Sequence, residues 1–143
     1  MTKIILASTS LARQYLLKKA GINDFITKKP LFDEENAKDQ IKSWPIKEQA
    51  LFLAEKKGED IAKQFPNHFV ISSDQICCLD NQIIHKSKDQ ADAIKILQKL
   101  NGKTHIQNNA TCLFENGKIK IKHYSPANRP SVLKIMARKT VSN

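Results

Sequence analysis

Apolar runs alternate with amphipathic stretches along the first half of this chain. Residues 3–7 are apolar after Lys3 and predict a short strand, and the Ser-Thr-Ser sequence at 8–10 offers N-cap hydroxyls for a helix over residues 11–20. Gly21 suits the position just after that helix. A second helix is predicted from Pro45 to about residue 64, because apolar residues recur there at helical spacing.

Polar residues interrupt the pattern between these helices and again after the second one. Residues 23–44 predict an irregular or strand-containing segment. The apolar run at 69–71 passes into Ser72, Ser73 and Asp74, which predicts a buried strand over residues 69–73 with an acid at its carboxyl end. Residues 76–79 and 83–85 flank the turn formers Asp80 and Asn81 and predict a hairpin.

The last predicted elements are a helix and a second hairpin. Ser87 and Gln90 have capping-box spacing, which predicts a helix over residues 88–100. Its inward face is predicted to carry Ala91, Ile94, Leu97 and Leu100. Strands over residues 104–114 and 119–122 flank Asn116-Gly117, the strongest hairpin signal. Strands alternating with helices predict an α/β fold with a mixed sheet flanked by helices.

Composition adds limits on size, compartment and partners. The 143 residues suffice for one compact core. No apolar run is long enough to span a membrane, and the first residues are too quickly polar for a signal peptide, so we expect a cytoplasmic protein. The three cysteines, Cys77, Cys78 and Cys112, lack metal-ligand spacing and are typical of small core residues.

The net charge of +10 raises nucleic acid as a partner, but its distribution disfavours this. Seven basic residues and no acid follow position 115: Lys118, Lys120, Lys122, Arg129, Lys134, Arg138 and Lys139. The excess therefore belongs mainly to the C-terminal end. A solvated basic tail and a segment that touches RNA or acidic lipid are both compatible with this pattern.

Asp74 is the first candidate for chemistry. Ligands of open α/β sheets bind at the carboxyl ends of strands, and a carboxylate is rarely buried without a partner or a task. The alternative is that Asp74 caps a turn, and the spacing does not decide between the two.

A possible anion site lies at the first helix. The turn at residues 8–10 would present backbone N–H groups and hydroxyls at a positive helix end, with Arg13 one turn on. Lys57 and Lys86 would add positive charge, unless they are ordinary solvated lysines. The carboxylates of Asp33, Glu34 and Asp74 are enough to hold Mg²⁺ or Mn²⁺. Phosphate-binding cations beside metal-binding acids are typical of a site that cleaves a phosphoanhydride.

A family resemblance rests on a set of short motifs. In order and spacing, the chain resembles the Maf-like nucleotide pyrophosphatases at Lys3-Ile4-Ile5-Leu6-Ala7-Ser8-Thr9-Ser10, Arg13, Phe32-Asp33-Glu34, Leu53-Ala54-Glu55-Lys56-Lys57, Ser73-Asp74-Gln75, Lys86 and Asn101-Gly102-Lys103-Thr104-His105. In having Gln75 after the acid, the chain resembles the branch of the family that prefers 7-methyl-GTP, whereas the dTTP/UTP branch has Thr at that position. The resemblance implies a Maf/ITPase-like fold and cleavage of a nucleoside triphosphate into the monophosphate and pyrophosphate.

The resemblance also implies roles for particular residues. Asp74 would be the general base that activates water. Ser8, Arg13, Lys57 and Lys86 would bind the triphosphate. Glu34, with Asp33, would hold a divalent metal such as Mg²⁺, Mn²⁺ or Co²⁺. Gln75 and Ala12 would belong to the surface that selects the nucleobase.

The chain departs from the family pattern at several positions. Arg13 is followed by Gln14, so one of the family's two arginines is missing, and Asn109-Ala110 replaces an expected Thr-Gly. The motifs stop near Tyr124, so the sequence predicts a fold without its C-terminal part: an incomplete domain over residues 1–124 and a basic, unrelated tail over residues 125–143. The edge and apolar surface left by a missing part favour aggregation or a homodimer.

Three functional hypotheses remain open. The first is a metal-dependent nucleoside triphosphate pyrophosphatase, most simply one for 7-methyl-GTP. The second is a catalytically inactive, truncated relative that binds nucleotide or regulates cell division, because the family has been associated with septum formation. The third is an RNA-binding module that uses the basic tail, and the absence of RNP, KH or helix-turn-helix patterns disfavours it.

Overall fold

The structure, a computed structural model, describes residues 3–130. These residues form six strands and four helices, in the order β1 (Ile4–Leu6), α1 (Leu11–Lys19), β2 (Ile26–Thr27), α2 (Glu34–Ile41), α3 (Ile46–Gln64), β3 (Phe69–Leu79), β4 (Gln82–Ile84), α4 (Gln90–Leu100), β5 (Thr104–Glu115) and β6 (Lys118–Pro130). The predicted α/β class is confirmed.

The strands form one mixed sheet. Its order is β2-β1-β3-β5-β6, and β4 pairs with β3 outside that path. Strand β1 is parallel to both β2 and β3, whereas β3 and β4 are antiparallel. The predicted mixed sheet is therefore also confirmed.

The described chain divides into two compact units. The first unit holds residues 3–74 and Ala110–Tyr124, and the second holds Gln75–Asn109 and residues 125–130. Strands β3, β5 and β6 each contribute residues to both units.

The first unit has its core between α3 and the sheet. Apolar side chains of β1, β3, β5 and α3 are almost fully buried, among them Ile5, Leu6, Val70, Phe114, Leu53 and Ile61. The hydroxyl of Ser72 donates to the backbone carbonyl of Ala54 at 2.5 Å, which ties β3 to α3. The same packing explains Gly58, because a Cβ there would lie 2.5 Å from the Phe114 ring and 2.7 Å from Ser72 Oγ.

The segment from residue 23 to residue 44 differs from the prediction. It contains the short β2, as the pattern allowed, but also a helix, α2, that the sequence interpretation missed. Asp33 is the N-cap of α2, and its side chain accepts from the backbone N–H of Asn36 at 3.2 Å. Only Ala37 and Ile41 of α2 are buried, so its periodic signal is weak.

Strand β3 does not end at Asp74, which is a correction to the predicted strand over residues 69–73. It runs unbroken from Phe69 to Leu79, and burial alternates along it, with Ser72, Asp74 and Ile76 buried. Polar residues at inward positions made one strand resemble two. What ends here is the pairing with β1, whose last partner on β3 is Ile71.

The second unit contains the predicted hairpin of β3 and β4. Cys78 pairs with Ile83, and the two turn residues Asp80 and Asn81 have φ values of 52° and 64°. Both values are typical of a type I′ turn. The predicted hairpin is confirmed.

Helix α4 of the second unit begins later than predicted. Its N-cap is Asp89, which accepts from the backbone N–H of Asp92 at 2.8 Å, so the predicted cap at Ser87 is wrong. Of the four residues predicted to face inward, Leu100 is buried, whereas Ala91, Ile94 and Leu97 are exposed.

The hairpin at Asn116-Gly117 is confirmed, with φ values of 54° and 77°. Its second strand is longer than predicted, because β6 runs to Pro130. The predicted tail over residues 125–143 thus begins as strand, and residues 131–143 lie outside the described part of the chain.

Candidate active site

Lys57 lies at the centre of a charged cluster in the first unit. Its Nζ atom is 2.5 Å from Oδ1 of Asp74 and 3.3 Å from Oε1 of Glu34. The side chain of Lys57 is 11% exposed and that of Asp74 is 6% exposed, so this ion pair is largely withdrawn from water. One ammonium group therefore serves two carboxylates.

Three elements place these side chains. Asp74 follows Ser72 by two residues on β3, so both side chains point to the same face of the strand. That face meets α3, because Ser72 donates to Ala54 of α3, one turn before Lys57. Glu34 is the first residue of α2.

The pKa values of Asp74 and Glu34 are shifted in opposite directions. Burial raises the pKa of Asp74 above its ordinary value; Lys57 opposes this rise, and the nearby Glu34 adds to it. Burial also acts to raise the pKa of Glu34, but Lys57 and Lys38 together outweigh it and hold that pKa below its usual value. Asp74 is thus the carboxylate that accepts a proton more readily.

A hydroxyl-rich turn precedes α1 as the sequence predicts. Ser10 is the N-cap, and its side chain accepts from the backbone N–H of Arg13 at 3.3 Å. Oγ of Ser8 accepts from the backbone N–H of Ser10 at 3.0 Å and from Nη1 of Arg13 at 3.4 Å. The guanidinium of Arg13 is therefore folded back onto the turn, at the positive end of the helix.

The turn and the charged cluster share one electrostatic environment. The positive charge of Arg13 is among the groups that lower the pKa of Asp74, which places it within effective range of that carboxylate. The first unit thus brings together five of the residues that the sequence singled out: Ser8, Arg13, Glu34, Lys57 and Asp74. Such a set can bind a phosphate chain and accept a proton.

The remaining predicted site residues are placed elsewhere. Ala12 is exposed on α1, in the first unit. Lys86 and Gln75 belong to the second unit, where Lys86 is exposed in the loop before α4 and Gln75 is exposed on β3. The carboxylate of Asp33 accepts the capping hydrogen bond at the start of α2.

The carboxylates of this charged cluster are candidate ligands for a divalent metal ion. Glu34 and Asp74 offer hard carboxylate oxygens around one Lys57 ammonium. Across residues 3–130, no group of three or more His, Cys, Asp or Glu side chains is arranged to hold a metal. Mg²⁺ commonly uses only one or two carboxylates, with water and substrate phosphates as its other ligands, so Glu34 and Asp74 fit such an ion.

Some features of the second unit escaped the sequence interpretation. Gln107 and Asn109 of β5 both accept hydrogen bonds from the side chain of Gln75. Their spacing of two residues, which places both on one face of a strand, was the available signal.

In the part of the chain that the structure describes, no helix is long and apolar enough to cross a membrane.

The comparison with protein families matches this chain to the Maf-like protein model over residues 3–134. The 7-methyl-GTP pyrophosphatase of Bartonella henselae is 42% identical over 114 residues, which are 80% of this chain and 57% of that protein. The 7-methyl-GTP pyrophosphatase of Rhizobium johnstonii is 35% identical over 141 residues, which are 95% of this chain and 70% of that protein. The family resemblance is confirmed.

Another relative carries a broader name. The nucleoside triphosphate pyrophosphatase of Legionella pneumophila strain Philadelphia 1 is 32% identical over 124 residues, or 87% of this chain and 62% of that protein. The chain spans little more than half of the length of the relative from Bartonella henselae.

Among solved structures, a nucleoside-triphosphatase, or dITP/XTP pyrophosphatase, from Mycobacterium abscessus has a similar fold. The TM-score is 0.50 at 14% identity, with 89% of this chain and 72% of that chain covered. At this identity the likeness concerns the fold alone, and it agrees with the predicted Maf/ITPase-like architecture.

Proposed function

Because this chain belongs to the Maf-like protein family, we propose that it is a nucleoside triphosphate pyrophosphatase that cleaves between the α and β phosphates. The observation that carries the proposal is the contact of Lys57 with Asp74 and Glu34, within the unit that also holds the turn of Ser8 and Arg13. A buried acid with a raised pKa beside phosphate-binding cations is the arrangement that this hydrolysis needs.

In the proposed reaction Asp74 takes a proton from water as the water oxygen attacks the α phosphorus. The new P–O bond forms while the bond from the α phosphorus to the bridging oxygen breaks, and pyrophosphate leaves. The nucleoside monophosphate keeps the oxygen from water. Asp74 then returns its proton to the solvent.

The positive groups bind the triphosphate and spread its charge. The Arg13 guanidinium presents several N–H donors in a fork that matches phosphate oxygens. Lys57 has three donors, so it can keep its contact with Asp74 while it donates to a phosphate. Lys86 is proposed as a further triphosphate ligand.

A divalent cation is part of the proposal. Glu34 would hold it, with Asp33 as the second proposed ligand although its side chain caps α2. Mg²⁺, Mn²⁺ or Co²⁺ would supply Lewis-acid stabilisation of the phosphate charge when bound. In the structure Lys57 contacts the carboxylates of both Glu34 and Asp74.

The proposed substrate is 7-methyl-GTP. Support comes from the names of the relatives in Bartonella henselae and Rhizobium johnstonii, and from Gln75 after the acid. Gln75 and Ala12 are proposed to lie on the surface that selects the base. Ala12 carries no ring for stacking, so the preference is expected to rest mainly on hydrogen bonds.

The test is pyrophosphate release from 7-methyl-GTP, GTP, dTTP and UTP, with each metal and with chelator. We expect turnover of 7-methyl-GTP that exceeds turnover of dTTP and UTP and that needs the metal. Asp74→Asn should lower kcat by about a hundredfold or more, because its amide cannot take the proton. Asp60→Asn is the matched control, an exposed acid on α3.

Two outcomes of these turnover measurements would contradict the proposal. Near-normal turnover by Asp74→Asn would remove Asp74 as the base, and faster hydrolysis of dTTP or UTP would refute the substrate. The second candidate function, nucleotide binding without turnover, is favoured by one fact: Gln14 stands where the family pattern has a second arginine after Arg13. Calorimetric binding of 7-methyl-GTP without pyrophosphate release would support that candidate.

A further inference from the structure

Three side-chain amides form a hydrogen-bonded cluster in the second unit. We call Gln75 of β3 with Gln107 and Asn109 of β5 the amide cluster. Nε2 of Gln75 donates to Oε1 of Gln107 at 3.0 Å and to Oδ1 of Asn109 at 2.9 Å. Both N–H bonds of the Gln75 amide are therefore used inside the protein.

The direction of these bonds is fixed by the backbone. Nδ2 of Asn109 donates to the carbonyl of Gln107 at 3.4 Å and to the carbonyl of Ser125 at 3.3 Å. A backbone carbonyl only accepts, so the NH₂ group of Asn109 must face these two oxygens and its Oδ1 must face Gln75. Because Oδ1 also only accepts, Gln75 must turn its NH₂ group toward the cluster.

This arrangement leaves Gln75 with one free polar atom. Its Oε1 receives no donor from residues 3–130, and the side chain is exposed. A free glutamine can offer a ligand either a donor or an acceptor by turning its amide over. In this cluster, turning it over would set the Gln75 oxygen against the oxygens of Gln107 and Asn109.

We propose that Gln107 and Asn109 are positioning residues that hold Gln75 as a hydrogen-bond acceptor. The Gln75 oxygen then favours the guanine edge, where the adjacent N1–H and 2-amino groups both donate, over the adenine edge, where the 6-amino group donates but N1 accepts. The proposal rests on the proposed function, because it assumes that Gln75 meets the base of a nucleotide. It adds two specificity-determining positions, one of them at Asn109, where the chain departs from the family pattern.

The first test needs no nucleotide. Hydrogen exchange of the Gln75 side-chain amide can be followed by ¹H–¹⁵N NMR, with Gln75→Thr to assign its signals. We expect exchange about tenfold or more slower than for Gln40, an exposed glutamine of α2, because both Gln75 N–H groups are hydrogen-bonded. Equal exchange rates would overturn the proposed positioning whatever the protein catalyses.

The second test measures base preference by calorimetry with α,β-methylene analogues of GTP and ATP, in which the α–β bond cannot be cut. We expect the native protein to bind the guanine analogue about tenfold or more tightly, as matched hydrogen bonds to a base edge allow. The double variant Gln107→Met/Asn109→Leu removes both acceptors and should reduce this ratio to within about threefold. Gln107→Glu keeps the acceptor oxygen at 107 and leaves Asn109 to donate to its two backbone carbonyls, so it should retain the preference.

Each result is read against circular dichroism and thermal unfolding of the same variants. A folded Met/Leu variant with the native guanine preference would overturn the proposal while pyrophosphate release still supports the proposed function. If a protein with a slowly exchanging Gln75 amide binds neither analogue, the guanine preference is refuted, and pyrophosphate release from 7-methyl-GTP decides separately whether the proposed function stands.

Discussion

Lys57 is the residue on which the charge balance of the first unit depends. It touches Asp74 at 2.5 Å and Glu34 at 3.3 Å, yet the two carboxyl groups differ in their titration. Burial is almost complete around Asp74 and incomplete around Glu34, whose side chain is 35% exposed and has Lys38 as a second cation. The effect of burial is therefore the larger one at Asp74, whose pKa is raised, whereas the effect of the cations is the larger one at Glu34, whose pKa is lowered.

Lys57→Met should raise the pKa of both carboxyl groups, because it removes the nearest positive charge from each. The measurement is a pH titration of ¹³C-labelled carboxyl groups by NMR. Lys57→Arg is the control, since it keeps the charge, and should leave both values near those of the native protein. Unchanged titration of Asp74 in the Met variant would contradict the contact between them.

The same shift should appear in the rate of the proposed reaction. Asp74 works as a base only when ionised, so its raised pKa sets the pH below which activity falls. In Lys57→Met the acidic limb of the pH–rate profile, where activity falls as Asp74 is protonated, should move to higher pH. The variant should also be slower at every pH, because it lacks the phosphate contact of Lys57. An acidic limb that stays in place would mean that another group controls it.

Arg13→Ala should raise the apparent KM for triphosphates. The guanidinium is held beside Ser8 and near Asp74, where it can form a charged hydrogen bond to phosphate. Loss of such a bond costs about 1.5–3 kcal/mol, or about tenfold to a hundredfold in kcat/KM. Lys19→Ala removes an exposed charge from the other end of α1 and serves as the control. An equal change of the apparent KM in both variants would mean that Arg13 is only a surface residue of α1 and does not bind the triphosphate.

At the scale of elements, local signals predicted more than packing-dependent ones. The start of α1 was predictable because the Ser10 cap is made within four residues. Helix α2 was not, because its few buried residues leave little periodicity. The interruption assumed in β3 arose from Ser72 and Asp74, which are buried only because α3 supplies a carbonyl and an ammonium for them.

The candidate site follows the same division. The hydroxyl turn before α1 could be derived from its sequence, whereas the pairing of Lys57 with Asp74 joins residues 17 positions apart and needed either the family resemblance or the fold. The spacing of Gln107 and Asn109 placed both on one face of a strand but did not identify Gln75 as their partner, because these contacts span 32 and 34 residues.

Gly58 shows how closely α3 must approach the sheet, and it yields a prediction about stability. Alanine would gain about 1 kcal/mol in helix propensity but would place Cβ against Phe114 and Ser72, and overpacking costs about 1–3 kcal/mol. With three contacts below 3 Å the steric cost should dominate, so Gly58→Ala should lower the free energy of unfolding measured with urea.

A double-mutant cycle separates crowding from other effects of Gly58→Ala. Phe114→Leu shortens the ring that the new Cβ would meet, so the loss caused by alanine should be smaller in that background. Equal losses in both backgrounds would show that Phe114 is not what limits the space at Gly58.

At the scale of the whole molecule, the positive charge is unevenly distributed and partly neutralised. Seven basic residues follow position 115, but Lys120 forms an ion pair with Glu115 at 3.0 Å and Lys122 forms one with Glu55 at 3.1 Å. Both acids belong to the first unit, as do both lysines. At most five of the seven residues are thus left to meet nucleic acid phosphates.

This count predicts weak RNA binding that salt readily abolishes. Five neutralised phosphates on a single strand give a slope of about −3.5 in log K against log salt concentration, so affinity should fall by about a hundredfold between 50 and 200 mM salt. Fluorescence anisotropy with a labelled single-stranded RNA measures the slope, and the α,β-methylene analogue of GTP provides the comparison under the same conditions. Glu55→Gln should steepen the slope for RNA by freeing Lys122, without altering the selectivity between guanine and adenine analogues. RNA affinity that persists at 200 mM salt with a slope steeper than this would instead support the RNA-binding hypothesis.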